Sequence, residues 1–389
     1  MKSPFFSIFL PAKGRLEYLA EAIESVLLQD FQDIELVVSN NGADAALRDV
    51  AKKYWSNAEV RYVEQPEVLN MPTHWEKVTQ ELVGEYILIL TDRSVLKTGA
   101  LHYLHRQIMK EDERPNVISW PWDLYYDHLK ILLPYQATEK KMHSLSSDSQ
   151  LMNTANGIYQ FPYALPRGLN SCVRNDFINH MRVKHGAIFR PLTPDFSFGY
   201  LCLLNTSKFF YIERPLFVSQ GLMVSNGGNS FGGDASPYFN SLNLKNPFQH
   251  VPLKLPLVQN GIHEDFLAMA SLCGRDDLLK VWNRQNYYIE CFAEIDAKRE
   301  TGILRNDWID EIERALVQTL MKESKELQQG VKHNRTTITK IRTRIIGLIK
   351  KTLGARLETI RRYVLLGKRG GITCQTALEA AGFDALKIK

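Results

Sequence analysis

Asp92-Arg93-Ser94 stands directly behind a run of apolar residues, Tyr86 to Leu90. A short apolar run of this kind reads as a strand buried on both faces. Open α/β sheets do their ligand chemistry just past the carboxyl ends of such strands. A carboxylate there can reach a ribose or a hard divalent cation such as Mn2+ or Mg2+, but a single acid is few ligands for an ion that prefers several oxygens. The adjacent Arg93 is of the type that grips phosphate oxygens in pairs. Two readings of the motif stand. Either Arg93 supplies fixed positive charge to a phosphate, or it turns to a structural carboxylate while Asp92 and water hold a metal. Asp195, just after Pro194 and before an apolar helical run, is a second carboxylate of interest. It is a candidate general base, or the cap of the helix it opens, and a capping role would anchor it well.

The elements that must position these groups alternate at the spacing of βαβ units. Phe5 to Leu10 is a strand, Pro11-Ala12-Lys13-Gly14 a turn, and Leu16, Leu19, Ala20, Ile23, Val26 and Leu27 recur at helical spacing. Ile34 to Val38 is the next strand, ending in the polar turn Ser39-Asn40-Asn41-Gly42, with a helix over Ala45 to Tyr54. Val60 to Val63 is a third strand, and a helix over Met71 to Leu82 leads into the strand before Asp92. A helix over Lys97 to Met109 and a strand over Val117 to Trp120 follow. Four strand ends therefore deliver turns rich in Asn, Gly, Asp and Lys to one edge of a doubly wound parallel sheet. From Trp122 to Pro194 periodicity fades apart from a helix near Arg174 to Val183, and Phe209 to Ile212 is a late strand. The Gly-, Asn- and Ser-rich stretch Gly221 to Gly233 reads as a loop, and Ile262 to Leu320 as helical.

In this order the pieces resemble a family 2 glycosyltransferase of the GT-A fold. The resemblance rests on Ala22-Ile23-Glu24-Ser25-Val26-Leu27-Leu28-Gln29, similar to the family's A-x-x-S-V-L-x-Q helix, and on Ile34 to Gly42, which looks like its second strand. Asn70-Met71, Trp75 and Gly84-Glu85-Tyr86 resemble the approach to its DxD motif. Thr193-Pro194-Asp195 with Tyr211-Ile212-Glu213-Arg214-Pro215-Leu216 looks like the segment bearing its catalytic base. The resemblance spans roughly residues 5–230. It implies a Rossmann-like sheet and transfer of a sugar from a nucleotide diphosphate to a glycan or lipid-linked acceptor, with inversion and Asp195 as base. Pro11, Ala12, Lys13, Arg15 and Asn40 would hold the nucleoside, and Asp92 and Arg93 the diphosphate end. The family usually has an acid where Asn40 stands and an acidic cluster where Asp92-Arg93-Ser94 stands. The rival reading is a glycosyltransferase-like scaffold that has lost its acids and serves as a binding or assembly subunit.

Other residues with chemical potential have plainer readings. His74 and Trp75 open a helix and suit a core or capping role. His263-Glu264-Asp265 lacks H-E-x-x-H spacing and reads as a helix start. The Gly227-Gly228 and Gly232-Gly233 pairs match no phosphate loop, and suit a lid or a surface loop.

The chain has 389 residues, 44% apolar and 23% charged, which fits a folded protein with a sizeable core. No apolar run approaches the roughly 18–20 residues that span a bilayer. Cys172, Cys202, Cys273, Cys291 and Cys374 are odd in number and widely spaced, which predicts a reducing, cytoplasmic setting. The charge is uneven. Residues 331–389 carry 14 Lys/Arg against 3 Asp/Glu, a net of +11 that leaves −6 on the remainder. Over 331–369 the apolar residues Ile338, Ile341, Ile345, Leu348 and Ile349 recur at helical spacing among Lys and Arg. That pattern fits either an anionic membrane surface or a face packed on the body or a partner. Few stacking aromatics accompany it, so no nucleic-acid partner is expected. The expected organisation is a GT-A domain over 1–240, with nucleotide binding over 1–121 and acceptor binding over 122–240. A helical extension follows over 241–330, and a basic amphipathic segment over 331–389.

Overall fold

The structure is a computed structural model that describes residues 3–136, 141–158, 164–221, 230, 232–335 and 371–382. The chain divides into two compact units. The first comprises the described parts of Met1–Leu151, Gln160–Leu222 and Gly370–Lys389, and the second those of Met152–Tyr159 and Met223–Arg369.

The first unit begins with the expected alternation. β1 (Phe6–Ala12), β2 (Ile34–Asn41), β3 (Val60–Gln65) and β4 (Tyr86–Ile89) are joined by α1 (Leu16–Leu27), α2 (Ala45–Lys52) and α3 (Met71–Thr79). They lie parallel in the order β3-β2-β1-β4. β1 is buried along its whole length and β4 likewise, so both read as continuous apolar runs rather than alternating ones. α2 starts where Asp44 accepts the backbone N–H groups of Ala46 and Leu47, and α3 where Asn70 accepts that of Thr73, ahead of Pro72 in the first turn. One amphipathic face of α1 buries Leu19, Ala22, Ile23 and Val26 against the sheet. Gly84 sits where β4 passes the start of β1. A Cβ there would come 2.5 Å from the Ser7 nitrogen, so only glycine allows the two backbones this close.

Beyond β4 the sheet is mixed rather than purely parallel. β5 (Ser94–Leu96), α4 (Ala100–Lys110) and β6 (Val117–Ser119) come next, then β7 (Asp123–Tyr126), β8 (Ile131–Leu133) and β9 (Met142–Ser146). After α5 (Ser147–Ala155) follow β10 (Ser171–Arg174), α6 (Asn175–His185), α7 (Pro194–Leu204), β11 (Lys208–Ile212) and β12 (Phe217–Ser219). β10 inserts antiparallel between β4 and β6, giving the eight-stranded order β3-β2-β1-β4-β10-β6-β11-β9.

A second, five-stranded sheet runs β13-β8-β7-β12-β5, where β13 is Ile372–Thr373. No apolar periodicity announces it, because its strands are two to four residues long. Ser94-Val95-Leu96, between the Asp92-Arg93 turn and α4, pairs antiparallel with β12. Residues 371–382, which the charge pattern groups with the basic tail, add β13 to β8. Cys374, Ala377, Ala380 and Ala381 there bury with Val95, Tyr125, Leu132 and Val218.

The second unit is helical. α8 (Ser236–Ser241), α9 (Val258–Leu272), α10 (Asp276–Val281), α11 (Arg284–Thr301) and α12 (Asn306–Leu320) make it up, with α9 packed on α10 and α11, and α11 on α12. A buried ion pair ties it together. Glu294 accepts the backbone N–H groups of Val258 and Gln259 at the start of α9, and lies 3.0 Å from Lys298, which donates to the Gly233 carbonyl. His263-Glu264-Asp265 lies inside α9 rather than at its start. Trp282 donates to His263 Nδ1, so Nε2 carries the proton toward Glu290, and Glu264 accepts the N–H groups of Gln249, His250 and Val251. Among the described residues no helix is long and apolar enough to cross a membrane. Most of 331–369, proposed above as a membrane-facing helix, lies outside the described residues, as do Gly227 and Gly228.

Candidate functional site

The turn after β4 places the motif. The Ser94 N–H donates to the Thr91 carbonyl and the Thr91 and Ser94 hydroxyls meet at 2.7 Å, closing a tight turn around Asp92 and Arg93. Asp92 is fully buried and turns to the segment after β1. Arg15 Nε donates to its Oδ2 at 3.0 Å, and Nη2 stands 2.9 Å from Oδ1 without an aligned hydrogen bond. The Lys13 backbone N–H also favours the ionised form of this carboxylate. Burial pushes the acid upward, and Arg15 is the largest opposing influence.

Arg93 leaves on the opposite side of the turn. Because β5 pairs with β12 at Ser94 and Ser219, the guanidinium meets Ser219 Oγ at 2.9 Å and the Gln220 carbonyl at 3.1 Å, both through Nη1. Nε and Nη2 make no hydrogen bond to the described residues. It therefore does not turn to a structural carboxylate, and it retains donors for an anion. Burial and the neighbouring Arg15 bring its pKa down to about 10, which leaves it charged at neutral pH.

Asp195 lies in the first turn of α7, while the N-cap position is Thr193. The backbone N–H groups of that turn, its own and that of Phe196, act to lower its pKa. The positive end of the helix favours the ionised form, but burial dominates and raises the acid above the usual carboxylate range. The approach to α7 is fixed by Glu76, which accepts Arg182 Nε at 2.6 Å and the Ile188 and Phe189 N–H groups.

Sequence reasoning passed over Arg167, in a stretch without periodicity. Its guanidinium lies 4.0 Å from Asp195 and over the rings of Trp122 and Phe196, 4.7 and 4.9 Å from their centroids. The surrounding backbone is pinned. The Gly168 N–H donates to the Asp195 carbonyl, Asn170 Nδ2 to the Trp120 carbonyl, and Ser119 Oγ to the Ala164 carbonyl. Gly199 of α7 passes so close that a Cβ would come 2.9 Å from the Pro166 oxygen. The cue in the sequence was an arginine between aromatic-rich segments, which carries no fixed spacing.

Pro11 and Ala12 extend β1 rather than form a turn, opposite Ser39 and Asn40 in β2. Asn40 is fully buried. Its Nδ2 donates to the Asp44 carbonyl and to Tyr62 Oη, and its Oδ1 accepts the Asp44 N–H. Glu64, clamped by Arg48 and Tyr62, lies beside it. These polar atoms hold the β2–α2 turn. Asn41 does the same for the stretch before α3, pairing with the Leu69 N–H and carbonyl.

His74 and Trp75 are core residues here. His74 Nε2 meets Ser39 Oγ at 2.8 Å, its ring stands edge-on to Phe9, and burial lowers its pKa to about 4. A histidine at about 4 in the fold and 6.5 when unfolded contributes stability that is complete above pH 6.5 and lost as pH falls toward 4. The expected loss across that window is on the order of 3 kcal/mol. Melting curves from pH 4 to 8 should therefore be flatter for His74→Gln than for the wild type. Equal slopes would contradict this.

The arrangement brings together Arg15, Asp92, Arg93, Arg167 and Asp195, three cations against two carboxylates. Among the described residues no group of three His, Cys, Asp or Glu side chains could hold a metal. With Asp92 committed to Arg15 and Asp195 the one other carboxylate, this cation-rich set does not fit Mn2+ or Mg2+. A cavity of about 890 Å³ lined by residues such as Asn240, Asn243 and Phe248 belongs to the second unit and includes none of these groups.

The chain has measurable similarity to known proteins. S. aureus TarS 1–349 in complex with UDP is 12% identical with a TM-score of 0.48, covering 85% of this chain and 91% of that one. The complex of the same protein with UDP-GlcNAc gives 12% and 0.47, covering 85% and 92%. Residues 7–159 match the model described as glycosyl transferase family 2. That span contains β1 to β4 and the Asp92-Arg93 turn, so this part of the chain is similar to glycosyl transferase family 2.

Proposed function

We propose that the protein transfers a sugar from a nucleotide-diphosphate donor to a hydroxyl of a glycan or lipid-linked acceptor, with inversion and Asp195 as general base. The observation that carries this reading is the placement of Arg93 and Arg167 about Asp195, with Arg15 and Asp92 alongside. Departure of a nucleoside diphosphate needs positive charge where negative charge grows. Arg93, buried and charged with donors to spare, supplies it without a bound divalent ion. Asp92 then acts through Arg15 and the Lys13 backbone, fixing the segment Pro11, Ala12, Lys13 and Arg15 against which the nucleoside lies. Asn40, held by Tyr62 and Asp44, shapes the far wall of that nucleoside site at the end of β2. Asp195 takes the acceptor proton as the glycosidic bond forms. The basic stretch 331–369 suits an anionic lipid surface, where a lipid-linked acceptor would be found.

Calorimetric titration with UDP, GDP, dTDP and CMP, each with Mn2+ and with EDTA, tests this. One nucleoside diphosphate should bind in EDTA with an affinity close to that in Mn2+, and Arg93→Ala should weaken it by about tenfold or more. Binding only with Mn2+ would discard Arg93 as the cation. No binding under either condition would discard the donor site and favour a scaffold without turnover.

A further inference from the structure

The two aspartates of the site each face an arginine, at different distances. Arg15 contacts Asp92 directly, donating to Oδ2 at 3.0 Å and standing 2.9 Å from Oδ1. Arg167 stops 4.0 Å from Asp195, beyond hydrogen-bond range yet well within the reach of its charge. A direct pair would occupy the oxygens that must accept a proton. A remote cation favours the ionised form and leaves them accessible.

Aromatic rings pack against Arg167 at that distance. Its guanidinium lies over Phe196, the residue after Asp195, and over Trp122. Trp122 in turn stacks on Phe217 with the rings 9° from parallel. The chain of contacts runs from β12 to the first turn of α7, and β12 also supplies the Ser219 hydroxyl that holds Arg93. Flat stacking on two rings restrains a guanidinium more tightly than an ammonium, which has no plane to match.

We propose that Arg167 is a positioning residue for Asp195, held by Trp122 and Phe196 at ion-pair distance so that the carboxylate stays ionised with its oxygens left to accept a proton. The catalytic part of this statement rests on Asp195 being the base of the proposed transfer; the electrostatic part does not. The charged groups acting on Asp195 are Arg167 from the segment before β10 and Arg93 from the turn after β4. Trp75 of α3 and Ile89 of β4, which reach the adjoining Gly168, carry no charge.

Two measurements on the full chain test the proposal. The first is the pH profile of kcat/KM. Arg167→Met should move the acidic limb upward by about one unit or more, since an opposite charge at this range is worth about 1–3 units. The rate would then fall about tenfold or more below the limb and recover at alkaline pH. A uniform loss at every pH would mark Arg167 as merely structural and overturn the proposal. Arg167→Lys, which keeps the charge but not the plane, should lie between the two.

The second measurement needs no turnover. Melting temperatures of the wild type, Arg167→Met, Asp195→Asn and the double variant are compared at pH 5 and pH 8. Removing Arg167 should destabilise more at pH 8, where it strands a buried carboxylate, and Asp195→Asn should abolish that difference. Losses that are equal at both pH values, or additive in the double variant, would overturn the coupling. A wild type without transferase activity would remove the proposed function, and the melting comparison would still decide the electrostatic claim.

Discussion

Asp195→Asn is expected to lower the rate of sugar transfer by about 10³-fold while nucleotide affinity stays nearly unchanged. The amide keeps the shape of the carboxylate, and its oxygen can still accept hydrogen bonds. It cannot take a proton from an acceptor hydroxyl, and general-base contributions run at about 10²–10⁴-fold. Folding should be little disturbed, because the buried charge disappears together with its desolvation cost. In the proposed function the donor lies against Arg93, Arg15 and the end of β1, none of which bonds to this carboxylate. Single-turnover transfer and calorimetry on the same preparation separate the two quantities. Transfer within about tenfold of the wild type would remove Asp195 as the base.

Gly84→Ala is expected to be the most damaging single-methyl change in the β1–β4 half of the first unit. The added Cβ meets the Ser7 nitrogen at 2.5 Å, the Ser7 hydroxyl at 2.6 Å and the Phe6 carbonyl carbon at 2.9 Å. Two of those three atoms are backbone within the central strand β1, paired on both sides, and cannot yield. The change should cost about 3 kcal/mol or more, at the upper end of overpacking effects. It also threatens the Ser7 hydroxyl, which accepts the Gly84 N–H and donates to Glu35. Urea unfolding of Gly84→Ala and of Gly84→Ala/Ser7→Ala checks the cause. Trimming Ser7 removes only its hydroxyl, so the double variant should remain as unstable. Recovery in the double variant would show that the clash is with the hydroxyl and not with the backbone.

The sequence was most legible where one residue type had one physical meaning. β1 to β4 and their helices were readable because the strands are buried apolar runs and the helices amphipathic. Their ends moved by a few residues, as with Pro11 and Ala12 extending β1, because pairing to β2 overrides local turn chemistry. The five-stranded sheet was not legible. Its strands are too short to establish a period, and β13 arrives from a segment dominated by positive charge. Asp92, Arg93 and Asp195 stood out by type and position. That Asp92 is clasped by Arg15, and that Arg167 rather than another acid attends Asp195, depends on contacts between residues 77 and 28 positions apart in the chain. No local pattern encodes such pairs. The antiparallel β10 escaped for a related reason, since an apolar strand looks the same whichever way its neighbour runs.

The strand contributed by residues 371–382 has a consequence for how the molecule comes into being. β5, β7, β8 and β12 emerge from the ribosome long before β13, and at about 5–20 residues per second the intervening chain takes on the order of ten seconds to make. During that interval Val95, Tyr125, Leu132 and Val218 lack the alanine-rich turn that covers them, and the edge of β8 has no partner. The helical unit is synthesised inside this gap, so it can fold while the first unit waits. A nascent chain therefore carries an open sheet edge on β8 until residues 371–382 dock, and the five-stranded sheet is complete only then.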